Sequence, residues 1–100
     1  MTVAATFRWK VANVDSARKS GKIAHEVWTK AGATRMRAFV VTVGPNVGNW
    51  LFALEFPDLA TYEKVRAQVR VSPEFKGWTE DAAKVGNVLT DAGLIEEIAL

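Results

Sequence analysis

Cysteine is missing from this chain of 100 residues. Its absence excludes disulfides, thiolate metal sites and a cysteine nucleophile, and it fits a reducing compartment, so the expected location is the cytoplasm. Histidine occurs once, as His25, and no site built on paired histidines can form within one chain. A carboxylate-only cation site would want an aspartate-rich loop, and no D-x-D spacing occurs. No metal is therefore expected. Neither G-x-G-x-x-G nor G-x-x-x-x-G-K-S/T is present, so no nucleotide cofactor is expected, and no other cofactor is implied. No apolar run approaches the ~18 residues of a membrane helix. The opening MTVAATFRWK has no apolar stretch of ~7–15 residues, so a secretory signal is not expected either. The net charge of +2 is small and scattered, which is not the footprint of a nucleic-acid binder.

What remains is apolar and aromatic. Hydrophobic residues make up 49% of the chain, and four of the aromatics are tryptophans. One domain spanning residues 1–100 is expected, burying roughly 60–65% of its unfolded surface at this size. So many large side chains in so short a chain point to an interface or pocket beyond a minimal core. The three prolines all fall between apolar segments. No repeat, low-complexity segment or linker interrupts them.

The order of elements can be read directly. Ala4 to Ala12 alternates, with Phe7, Trp9 and Val11 on one side and Thr6, Arg8 and Lys10 on the other, which predicts a first strand. Asp15 is the predicted cap of a helix over Ser16–Ala31. Its apolar stripe is Ala17, Ser20, Ala24, Val27, Trp28 and Ala31, and Gly32 is placed to end it. Two runs, Met36–Val43 and Trp50–Phe56, flank the turn Gly44-Pro45-Asn46-Val47-Gly48 and predict a hairpin. Pro57-Asp58 stops the third strand and caps a helix whose stripe is Leu59, Tyr62, Val65 and Val69. Ser72-Pro73-Glu74 reads as a helix restart. The apolar steps Phe75, Trp78, Ala82, Val85, Leu89 and Ala92 carry that helix to Gly93, with a last strand over Leu94–Leu100. Gly86 in mid-helix leaves an earlier end near Val85 as the alternative.

The hairpin strands barely alternate, and near-continuous apolar strands belong to sheets covered on both faces. One helical layer covers one face. A second copy of the chain is the expected cover for the other, so a homodimer is predicted.

The order βαββαβ predicts an α+β, ferredoxin-like domain: a four-stranded antiparallel sheet with the helices on one face and the second helix split. In element order, strand apolarity and the bent helix at Ser72-Pro73-Glu74-Phe75, the whole chain resembles the dimeric α/β-barrel superfamily, which includes antibiotic-biosynthesis-type monooxygenases, EthD-like and NIPSNAP-like proteins. That resemblance implies two sheets joined through their uncovered faces. It also implies a cleft between sheet and helices for small apolar, often aromatic molecules, and makes cofactor-free monooxygenation of such a molecule one expectation. A non-catalytic structural or interaction module is the alternative, and the residues do not decide whether the chain is an enzyme. The RNA-recognition motif shares βαββαβ and is the weaker alternative. Trp50 and Phe52 alternate as its stacking aromatics would, but Glu55 and Lys10 stand where further aromatics belong.

Two residues are candidates for chemistry. His25 projects roughly 110° from the centre of the first helix's apolar stripe, at ~100° per residue. It reads first as a solvated helix histidine and second as an acid/base at a pocket rim near Trp28. Glu55 lies in an apolar strand with Arg35 and Arg37 on the neighbouring strand. It reads first as an ion pair that fixes register, and second as a ligand-binding carboxylate. Glu96 and Glu97 point to opposite faces of the last strand and cannot form a dyad. Trp28, Trp50, Phe52 and Trp78 are the candidate ligand-binding residues; for all four, core packing is the simpler alternative.

Overall fold

The computed structural model describes residues Met1–Leu100. Four strands and three helices succeed one another as β1 (Val3–Lys10), α1 (Val14–Ala31), β2 (Arg35–Val40), β3 (Trp50–Phe56), α2 (Leu59–Arg70), α3 (Pro73–Val85) and β4 (Val88–Glu96). The strands form one antiparallel sheet in the order β2-β3-β1-β4. The helices lie on one face, and the result is a slab of 36 × 35 × 17 Å, one sheet and one helical layer thick. This is the ferredoxin-like arrangement read from the sequence. No helix is long and apolar enough to cross a membrane.

Local chemistry sets most boundaries where the pattern put them. Asp58 accepts a hydrogen bond from the Thr61 amide at 2.7 Å and starts α2. The Ser72 hydroxyl accepts from the Phe75 amide at 3.2 Å and starts α3, with Pro73 at its first position. Gly32 ends α1 at φ 133°, and a Cβ there would meet a Val65 methyl at 2.9 Å, so both backbone and packing demand glycine.

Three boundaries differ from the sequence reading. Asn13, not Asp15, caps α1, by accepting from the Ser16 amide at 2.9 Å. The reason is non-local. Asn87, 6% exposed, accepts from the amides of Ala12 and Asn13 at 2.8 and 2.9 Å, which fixes the entry of the chain into α1 ahead of Asp15. Strand β2 stops at Val40 rather than Val43, because the loop beyond it takes positive φ at Gly44, Asn46 and Gly48. Helix α3 ends at Val85, with Gly86 in the left-handed region at φ 79°, and β4 begins at Val88. The early end left open by Gly86 is the one adopted, and the strand over Leu94–Leu100 is corrected to Val88–Glu96.

Alternation then sorts the sheet into two faces. Val3 and Ala5 of β1 and Leu54 and Phe56 of β3 point to the helices and are fully buried against Trp28, Val65 and Val69. The opposite face has no cover in the single chain. It carries Arg37 and Phe39 of β2, Leu51, Ala53 and Glu55 of β3, and Arg8, which is cross-strand to Asp91.

Candidate functional site

The helix-covered face is filled at one end only. A cleft of about 610 Å³ opens between the sheet, α1 and α3, and fifteen of its twenty lining residues are hydrophobic. That volume lies within the range of about 300–1,000 Å³ usual for small-molecule sites. Its origin is legible on α1. Ala17, Ser20, Gly21 and Ala24 recur at helical steps and present only small side chains to Phe7, Trp9 and Phe52 of the sheet. One turn further on, Trp28 reaches down and closes the space. Phe75 and Trp78 of α3 form the facing wall, packed edge to face with ring centroids 5.3 Å apart.

A bulge places the last lining strand. Arg8 pairs with Asp91 but Trp9 pairs with Leu89, so Thr90 is the extra residue, and Leu89 turns to the cleft side beside Trp9.

Polar groups in the cleft are few and largely committed. The Thr79 hydroxyl donates to the Phe75 carbonyl at 2.7 Å. The Asn87 amide is used on both sides, accepting from Ala12 and Asn13 and donating to the Asn13 carbonyl at 3.3 Å. Side-chain donors within the chain are the hydroxyls of Thr6, Thr29, Ser72, Thr79 and Thr90 and the amide of Asn87. No indole N–H is among them. No Asp, Glu, His, Lys, Arg or Tyr lines the cleft, and no three His, Cys, Asp or Glu side chains converge as metal ligands.

Trp28, Phe52 and Trp78 are thus brought together around the cleft. Trp50 is not. It lines a second, shallower groove of about 420 Å³ on the β2 side of α1, together with His25, Arg18 and Lys22. His25 is exposed and stands outside the cleft. Glu55 lies on the opposite face of the sheet, where its Oε2 is 3.5 Å from an Arg37 guanidinium nitrogen, with side chains 26% and 45% exposed. That oxygen is shielded from solvent and accepts no hydrogen bond, so the pair is held by charge alone. Arg35 is the direct cross-strand neighbour of Glu55 but makes no ion pair with it.

The stacking reading for RNA is corrected by the same geometry. Trp50 and Phe52, 6.1 Å apart, face the helices, and the open face of β3 carries Leu51, Ala53 and Glu55 instead. Sequence reasoning did not single out Leu89 or Asn87 as lining residues, whereas the alternation of β1 already put Trp9 beside Phe7. Leu89 and Asn87 were hidden by the misplaced end of α3.

No protein-family model matches the sequence, and no curated protein matches it. Solved structures do match, across nearly the whole chain. SnoaB, a cofactor-independent oxygenase from Streptomyces nogalater, superposes with a TM-score of 0.73 at 9% identity, covering 99% of this chain and 95% of its own. A NIPSNAP family protein of unknown function from Agrobacterium tumefaciens gives 0.68 at 14% identity, over 94% and 82%. An EthD family protein from Bacillus halodurans gives 0.60 at 15% identity, over 98% and 99%. At such identities the likeness establishes the fold, which is the one these proteins share with this chain.

Proposed function

We propose that the protein binds a small, flat, apolar molecule in the cleft between sheet and helices. The observation that carries this reading is a hollow of about 610 Å³ walled by Trp28, Trp78, Phe52 and Trp9, whose apolar surface the chain itself leaves part-solvated. Aromatic walls give a flat ring its contact area, and indole N–H groups with no acceptor in the chain suit a ligand with carbonyl or hydroxyl oxygens. The unit that binds is a homodimer. Its two sheets meet through their open faces, where Phe39, Leu51 and Ala53 otherwise stay in water, to form a dimeric α/β barrel. The absence of cysteine supports a cytoplasmic setting.

A second reading rests on the likeness to SnoaB, a cofactor-independent oxygenase. An electron-rich ring supplies electrons to dioxygen itself, and an aromatic cleft with no charged wall suits that chemistry. The walls hold no acid or base, so the substrate would have to ionise outside the cleft or on its own.

Native mass spectrometry of the protein as purified tests both the assembly and the ligand. The expected result is a dimer carrying a small molecule or accepting a polycyclic aromatic added to it. A monomer that takes up none would sink the reading. Dioxygen uptake with dihydroxynaphthalene above the buffer rate adds oxygenation; no uptake leaves binding.

A further inference from the structure

The cleft does not end at its own walls. It shares Gly21, Met36 and Phe52 with the second groove, so the two hollows adjoin along β3 and the middle of α1. Their chemistry differs sharply. No charged residue lines the cleft, whereas the groove is lined by Arg18, Lys22, His25, Glu26 and Arg37.

Arg18, Lys22 and His25 are spaced by four and three residues and form one row along α1. The ion pairs of the chain are Arg8–Asp91, Arg37–Glu55 and Lys76–Glu80. Arg18 and Lys22 therefore have no carboxylate within pairing distance, not even Glu26 one turn along from Lys22. Arg37 is held by Glu55 on the other side of the sheet. Two uncommitted cations thus border an aromatic floor made by Trp50 and Phe52, at the edge of an uncharged chamber.

Gly21 sits at the junction. A Cβ there would come 3.3 Å from the Phe52 ring, so only glycine lets α1 lie this close to Phe52 on the rim that the two hollows share.

We propose that the ligand of the cleft is an organic acid. Its apolar ring lies among Trp28, Trp78 and Phe52, and its carboxylate reaches over the rim shared by the two hollows to Arg18 and Lys22 in the groove. This rests on the cleft being a small-molecule site and names the class of molecule that fits it. A carboxylate placed between an arginine and a lysine gains charge-assisted hydrogen bonds that a neutral group in its place does not.

The test is a titration of the full chain, read by tryptophan fluorescence, with anthracenecarboxylate and with the neutral anthracenecarboxamide. The acid is expected to bind about tenfold tighter than the amide. The preference should shrink as salt is raised. The double substitution R18Q/K22Q is expected to bring the acid down to the level of the amide and to leave the amide unchanged, which also reports that the cleft is intact. Equal affinities in the unsubstituted protein, or a preference that survives the double substitution, would overturn the acid assignment while leaving the cleft as an apolar site. Binding of neither probe would remove both.

Discussion

The two ends of the helix-covered face are built from the same two strands and behave oppositely. At one end Val3 and Ala5 of β1 lie across from Phe56 and Leu54 of β3, and none is more than 3% exposed. At the other, Phe7 and Trp9 lie across from Phe52 and Trp50, all aromatic and all only half-buried. The helix-facing positions of both strands are apolar throughout, so strand composition does not explain the difference. The layer above them does. Trp28, Val65 and Val69 fill the first end, whereas Ala17, Ser20, Gly21 and Ala24 leave the second hollow. Burial here is decided by the side-chain size of the facing helix. Large rings left part-wet forgo about 25 cal/mol for each Å² of apolar surface that stays exposed, a deficit a bound ring would recover.

The largest expected effect is at the packed end. Phe56 is 0% exposed and touches Trp28 and Tyr62 edge to face. Phe56→Ala should cost about 3–5 kcal/mol in a denaturant titration. Trp78→Ala, at the hollow end, removes a larger side chain but one with an open cavity on one side. It should cost less, about 1–2 kcal/mol, while abolishing the binding of an aromatic probe. Similar losses from the two substitutions would mean that both ends are packed alike, and the cleft reading would fall.

This asymmetry was only half legible in the sequence. Period-two alternation placed Phe7 and Trp9 on one face, and helical spacing put Ala17, Ser20 and Ala24 on the stripe of α1, because both depend on neighbours along the chain. Asp58 and Ser72 were readable as caps for the same reason. A stripe of small residues, however, reads as core until its opposite wall is known, and that wall comes from α3 and β4. The end of α3 turned on Gly86, and a helix runs through a glycine or stops there according to the residues beyond it. Here Asn87 decides, because its side chain is tied to Ala12 and Asn13 across the fold. No local pattern carries a bond between residues so far apart. His25 and Glu55 were singled out for chemical type, and the fold separates them by a whole sheet.

The two candidates extend the comparison to the outer surfaces. Glu55 precedes Phe56 at the packed end but faces away from the helices, beside Arg37. In a lone subunit the pair is partly exposed, and Glu55→Ala should cost about 1 kcal/mol at most. In a dimer closed through that face the pair is desolvated, and the cost should rise to about 3–5 kcal/mol. Measuring the substitution at two protein concentrations separates these outcomes, since a dimer's stability depends on concentration. His25, exposed beside the groove at the hollow end, should cost less than about 0.5 kcal/mol when changed to Ala. A larger loss for His25 than for Glu55 would invert the order and bring the histidine back as a candidate acid/base.

The smallest effect concerns how the packed end is held in place from outside. Helix α2 brings Val65 and Val69 onto the core, and its first turn is tied by Asp58. The hydrogen bond from the Thr61 amide lowers the Asp58 pKa below its ordinary value of 3.8. A carboxylate whose pKa is depressed on folding binds fewer protons in the folded than in the unfolded state. Its contribution is therefore fully present above the unfolded value and is lost as pH falls through the folded one. Asp58→Asn keeps an acceptor at the cap but removes the titration. The stability difference between the parent protein and this variant should be constant from neutral pH to about 5 and should shrink steadily below about 4. Because Asp58 is fully in water, the change should be slight and should leave ligand binding at the hollow end untouched. A difference that grows on acidification would mean that the Asp58 carboxylate is better accommodated in the unfolded chain. A parallel loss of probe binding would mean that the two ends are coupled through α2, against the independence that their packing implies.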